Sequence, residues 1–109
     1  MTSAKRYVKL YNASAAGTGA WFRLDSRYEK ISVRPIHFSI TAGDSFVLQA
    51  TVVDFKGIDE TYLNNLQASD IATLGTFVAT SDELLEGNYT WVRVVKSGTA
   101  GIGVVEGFI

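Results

Sequence analysis

Cysteine is absent from this 109-residue chain. Disulfide staples, thiolate metal sites and cysteine nucleophiles are therefore excluded. Proline occurs once and so does histidine, at Pro35 and His37. A single imidazole gives no histidine-based metal cluster, and no nucleophile motif surrounds it to complete a Ser/His/acid arrangement. No segment reaches the roughly 20 apolar residues needed to span a bilayer. The start, MTSAKRYVKL, has no apolar run of the kind a signal peptide carries. The expectation is a protein made and used inside a cell, or one that leaves it by lysis, with no membrane partner. Net charge is only -1, which argues against a general polyanion binder, so no nucleic-acid partner is expected.

What is present points to strands. Hydrophobic residues make up 47% of the chain, enough for a real core. Ten glycines and an abundance of Val, Thr, Ile, Phe and Tyr suit short strands joined by tight turns. The length fits one domain, residues 1–109, with residues 1–5 as a mobile arm. Charge is uneven. Residues 1–40 hold Lys5, Arg6, Lys9, Arg23, Arg27, Lys30 and Arg34 against Asp25 and Glu29, whereas the remainder holds nine acids against Lys56, Arg93 and Lys96. A basic end and an acidic end suit contact with copies of the chain or with a charged scaffold.

One pattern recurs three times: aromatic, apolar, basic, apolar. It reads Tyr7-Val8-Lys9-Leu10, Trp21-Phe22-Arg23-Leu24 and Trp91-Val92-Arg93-Val94. Alternate residues of a strand face opposite sides. Val8/Leu10, Phe22/Leu24 and Val92/Val94 therefore form a dry face. Tyr7/Lys9, Trp21/Arg23 and Trp91/Arg93 form an outer one. Aromatic residues and arginine are enriched at interface hot spots. Two readings stand side by side: the tryptophans complete a core between sheets, or they form an outward platform with Arg23 and Arg93.

Along the chain, Arg6–Asn12 and Ala20–Asp25 read as strands around a flexible turn, Ala13–Gly19. Tyr28–Arg34 and Ile36–Ile40 follow, with Pro35 marking a strand edge or bulge. Thr41–Asp44 is a turn and Ser45–Val53 the clearest strand. Residues 54–70 read as a long loop or short helix, since Ile58, Tyr62, Leu63 and Leu66 have helical spacing. Ile71–Ala79 is a strand, Ser81–Leu85 a turn or short edge strand, and Tyr89–Lys96 a strong strand. Ser97–Gly101 reads as a hairpin turn before the return strand Ile102–Gly107. Seven or eight strands with polar turns indicate an all-β sandwich, jelly-roll-like.

The candidate chemistry is thin. Asp54, Asp59, Glu60 and Asp70 fall in the long loop without calcium-loop spacing. The glycine-rich Ser97–Gly103 precedes a strand, whereas a phosphate cradle needs a helix after it. No catalytic residue, metal ligand or cofactor is expected, and the protein reads as a non-enzyme.

The segment NYTWVRVVKSGTAGIGVVEG resembles the closing hairpin of small β-sandwich virion proteins of tailed phages. Gly87, Tyr89, Trp91, Val92, Arg93, Val94, Ser97, Gly98, Gly101 and Val104 carry the likeness. SFVLQATVVDF resembles their central strand. The loop Lys56–Asp70 is longer than in that pattern. The resemblance implies a bacteriophage structural protein, a capsid decoration or cement protein on the exterior of the virion, assembled in the host cytoplasm. Its partners would be the major capsid protein and copies of itself, as a dimer or trimer. Contact residues on this reading are Trp21, Arg23, Trp91, Arg93, Tyr7 and Lys9, with Lys5 and Arg6 in a basic arm. The alternatives are a carbohydrate-binding module that uses the same aromatic platform for a glycan, and a tail or baseplate component.

Overall fold

The computed structural model describes residues 7–24, 33–52, 66–87 and 89–109. Nine strand segments appear there: β1 (Tyr7–Ala13), β2 (Gly17–Thr18), β3 (Phe22–Arg23), β4 (Val33–Ser39), β5 (Ser45–Thr51), β6 (Ala72–Phe77), β7 (Ser81–Glu86), β8 (Trp91–Ser97) and β9 (Gly103–Phe108). They form two antiparallel sheets. One has the order β1-β9-β4-β7; the other runs β2-β8-β5-β6, with β3 also on β8. β2 pairs with Lys96 and Val95, and β3 pairs with Val92 and Trp91, so the two short segments share one edge of β8. The nine segments thus fill eight lanes.

The pairs are nested. β1 lies on β9, β2 and β3 on β8, β4 on β7, and β5 on β6. Folding a chain back as one long hairpin and rolling it gives this set, with β4–β9 and β5–β8 closing the two sheets. That is the jelly roll expected from the strand count.

Side-chain alternation explains why the sheets stack. Leu10, Leu24, Val92 and Val94 are buried in one core with Ile36, Phe38, Phe46, Leu48, Leu85, Val105 and Ile109; Val8 and Phe22 pack against it. The dry face read from the three tetrapeptides is therefore real, and it is shared between both sheets. Each fully buried large aliphatic or Phe contributes about 1.5–3 kcal/mol relative to exposure. β1 reaches the core through a register shift between Lys9 and Tyr11, which lets Leu10 and Tyr11 both turn inward.

Several expectations are corrected. Ser97–Gly101 is not a hairpin turn, because β8 and β9 belong to different sheets; the segment crosses the sandwich. Gly17 and Thr18, read as part of a flexible turn, form a short strand on β8. Strand Ala20–Asp25 reduces to Phe22–Arg23 among the described residues. Pro35 sits inside β4, an interior lane, and marks no sheet edge. It is tolerated because the ladder to β9 starts one residue later, at Ile36 and Gly107. The start of the helical spacing read in 54–70 lies outside the described residues; at its end, Ala68–Asp70 makes a single 3-10 turn. Ser81–Glu86 is an edge strand, as one reading had it.

Candidate interaction surfaces

The outer side of the five-stranded sheet carries the tryptophan and arginine residues. Val92 and Val94 point to the core, so Trp91 and Arg93 point away from it. Register places Arg23 opposite Trp91. The arginines cross over: Arg23 Cζ lies 5.5 Å from the Trp91 ring centroid, and Arg93 Cζ lies 4.4 Å from that of Trp21. Each tetrapeptide's arginine covers the other's indole. Arg93 Nε also donates to Gln49 Oε1 at 2.9 Å, and burial lowers the pKa of its guanidinium from the ordinary value. The group stays charged at any ordinary pH.

The platform is therefore not the open one that the alternation implied. Trp21 keeps 5% of its surface exposed and Trp91 is half-buried. The rings lie outside the main core, yet the Trp21 face is sealed by the arginine stacked on it. Both indole N–H groups are buried without a hydrogen-bond partner. What this surface presents is guanidinium groups, with Arg23 the most exposed, held over aromatic rings.

Tyr7 and Lys9 belong to a different surface. They lie on the outer side of the four-stranded sheet, so the single outer face drawn from the three tetrapeptides is two faces on opposite sides of the sandwich. On this second face, residues line up across the lanes in two rows. Lys9 pairs with Glu106, Glu106 with His37, and His37 with Asp82. One step along the strands, Tyr7 pairs with Phe108, Pro35 follows beside Phe108 by continuation of the ladder, and Pro35 pairs with Leu84. Tyr7, Phe108 and Leu84 are 52%, 50% and 59% exposed, large values for such side chains. The Tyr7 and Phe108 rings meet edge to face at 4.9 Å. The Tyr7 hydroxyl donates to Glu106, and His37 Nδ1 lies 2.6 Å from Asp82 Oδ1. Of these, Tyr7 and Lys9 were legible from sequence. His37 reads from sequence as a surface or interface histidine, whereas Pro35, Leu84, Asp82, Glu106 and Phe108 were not assigned to an interface; the outward parity of Glu106 and Phe108 in the last strand was the available signal.

Between the sheets lies a buried ion pair. Lys96 follows Val92 and Val94 on the inward side of β8, so its ammonium must find partners inside. Lys96 Nζ donates to Asp44 Oδ2 at 3.1 Å, to the Ser14 carbonyl at 3.0 Å and to the Gly98 carbonyl at 2.7 Å. The Asp44 carboxylate also accepts the backbone N–H groups of Ala100 at 2.9 Å and Gly101 at 3.2 Å. The backbone N–H of Ala100, first, and the lysine with the N–H of Gly101 hold its pKa below the ordinary value against the opposing effect of burial. The pair ties the inter-sheet crossing to β5 and β8. Gly98 has φ +90°, and a Cβ there would lie 2.3 Å from Asp44 Oδ1, so glycine is needed for the tie to form.

The other candidates stay apart. Lys5, Arg6, Asp54, Asp59 and Glu60 lie outside the described residues. Asp70 lines a pocket of about 220 Å³ with Thr51, Val52, Ser69, Ile71 and Tyr89, and among the described residues no second carboxylate joins it there. Among the described residues no group of His, Cys, Asp and Glu could hold a metal ion, and no helix is long and apolar enough to cross a membrane. Comparison with protein-family models, with curated proteins and with solved structures gives no match.

Proposed function

We propose that this chain is a structural protein of a tailed-phage particle, a decoration or cement component that binds the capsid exterior and bridges neighbouring capsid subunits. The observation that carries the reading is the crossed Trp/Arg patch. Its guanidinium groups are held in place by ring stacking and by Gln49 before any partner arrives. Binding through fixed side chains loses little conformational entropy, and Arg beside Trp is a hot-spot composition. A rigid sandwich closed by an internal ion pair suits a part repeated over a lattice, where many weak contacts add through avidity. The resemblance of the closing strands to phage virion proteins supports the same reading.

Sugar stacking fits less well, because it needs an open ring face and Trp21 has none. Placement in the tail or baseplate is a variant of the virion reading; imaging particles that carry tagged protein separates head from tail.

The test uses Arg23→Ala and Trp91→Ala proteins with capsid shells that lack the wild-type copy, made from the phage that encodes the chain. Thermal unfolding of the isolated protein and co-sedimentation with shells are measured separately. Arg23→Ala is expected to keep the fold and lose most shell binding. Normal binding by a folded Arg23→Ala protein, with Trp91→Ala losing only stability, would assign the patch to folding and overturn the interface.

A further inference from the structure

We propose that the outer side of the four-stranded sheet is a self-complementary face on which two copies of this chain pair about a two-fold axis parallel to the strands. This goes beyond the capsid reading and uses the opposite side of the sandwich from the Trp/Arg patch, so it stands or falls independently.

The charged row decides the partner. Across the lanes β1, β9, β4 and β7 it reads Lys9, Glu106, His37, Asp82. A two-fold axis lying between the copies, along the strand direction and midway between β9 and β4, reverses the lane order of the second copy. Lys9 then faces Asp82 of the second copy, and Glu106 faces its His37. Both contacts occur twice by symmetry, as an isologous interface requires. The apolar row reverses by the same operation. Tyr7 meets Leu84 and Phe108 meets Pro35, so apolar surface covers apolar surface. An axis turned by a right angle, along the rows, does worse in either position. Placed on the charged row it sets Lys9 on Lys9 and Glu106 on Glu106. Placed between the rows it sets apolar residues on charged ones. One orientation satisfies both rows, and it joins the face to a second copy of itself.

Exposure agrees. Four neighbouring positions of one row, Tyr7, Phe108, Pro35 and Leu84, are exposed, although each is apolar or aromatic. Isolated apolar residues on a surface are ordinary, but a contiguous row is a mark of an interface. Two sheets packed in an aligned sandwich lie about 10 Å apart, close enough for these side chains to interdigitate and for the charged ends to meet. Four lanes about 4.8 Å apart make a small face. The expected dimer is accordingly a reversible one, near the low end of specific interfaces.

The charge swap provides the test. Lys9 and Asp82 stand three lanes apart in one copy, about 14 Å at ordinary strand spacing. They do not touch within a monomer, and they couple only through a second copy. Sedimentation velocity of the purified wild-type chain, from micromolar to millimolar concentration, is expected to show a monomer–dimer equilibrium. Lys9→Glu and Asp82→Lys are each expected to weaken the dimer by about tenfold or more. That is about 1.4 kcal/mol divided over two symmetric contacts. The double variant Lys9→Glu/Asp82→Lys is expected to recover dimerisation. Leu84→Asp, on an exposed position of the edge strand, is expected to abolish it with little change in the monomer's thermal unfolding. A wild-type chain that stays monomeric throughout overturns the proposal. So does a dimer indifferent to the single reversals and to Leu84→Asp, a double variant no better than the singles, or an assembly of higher order than two.

Discussion

Arg93 shows how much one side chain decides. It pairs with Gln49, stacks on Trp21 and closes the ring's outer face. A cation over a desolvated indole contributes up to about 2 kcal/mol, and the bond to Gln49 adds about 1. Arg93→Ala is therefore expected to cost about 1–3 kcal/mol and to shift the fluorescence of Trp21 to longer wavelength, read in a Trp91→Phe background. Arg93→Lys, which keeps the charge but loses the planar fork, should fall between. Asp44 makes a second residue-scale case. Its folded pKa lies below the ordinary value of about 3.8. A depressed acid pKa gives stability that is complete above the unfolded value and is lost as pH falls through the folded one. Thermal unfolding followed from neutral pH downwards should thus show the wild type losing stability below about pH 4 more steeply than Asp44→Asn, which starts lower and lacks that titration.

At the scale of elements, β4 and β9 approach closely at Gly107. Gly107 faces inward on β9, and a Cβ there would lie 2.5 Å from the Pro35 carbonyl oxygen and 3.2 Å from Ile36 Cα. Both are backbone atoms that no rotamer change moves. Gly107→Ala must push the two central lanes apart, and overpacking of this kind costs about 1–3 kcal/mol. For a domain of about this size each kcal/mol lowers the midpoint by about 4–8 °C, which calorimetry resolves. The crossing between β8 and β9 was misread because its Ser-Gly-Thr composition is that of a turn in either case. Composition reports that the chain bends, and the partner strand decides whether it bends within a sheet or between sheets. Lys96 carried the missing signal: a lysine in phase with Val92 and Val94 must point inward, and an inward ammonium needs carbonyl and carboxylate partners from elsewhere in the fold.

The whole molecule is dominated by long-range pairing. Tyr7 pairs with Phe108, and the nested hairpin must bring distant segments together before its sheets close. Folds built from such non-local pairs refold in milliseconds to seconds. Stopped-flow refolding followed by tryptophan emission should fall in that range, and a microsecond phase carrying the full amplitude would contradict it. The same rolling separates the two outward faces. It sends Tyr7 and Lys9 to one side of the sandwich and Trp21, Arg23, Trp91 and Arg93 to the other.

The amino-acid order alone determined the longer strands, the inward side of most of their residues and the all-β class, because alternation in a pleated segment is local and the burial of Leu10, Leu24, Val92 and Val94 follows from it. It did not determine which outward residues share a face, that Trp21 lies sealed beneath Arg93, or that Lys9, Glu106, His37 and Asp82 form a row. Those depend on lane order and register, and lane order is settled only when strands distant in the chain pair around a common core.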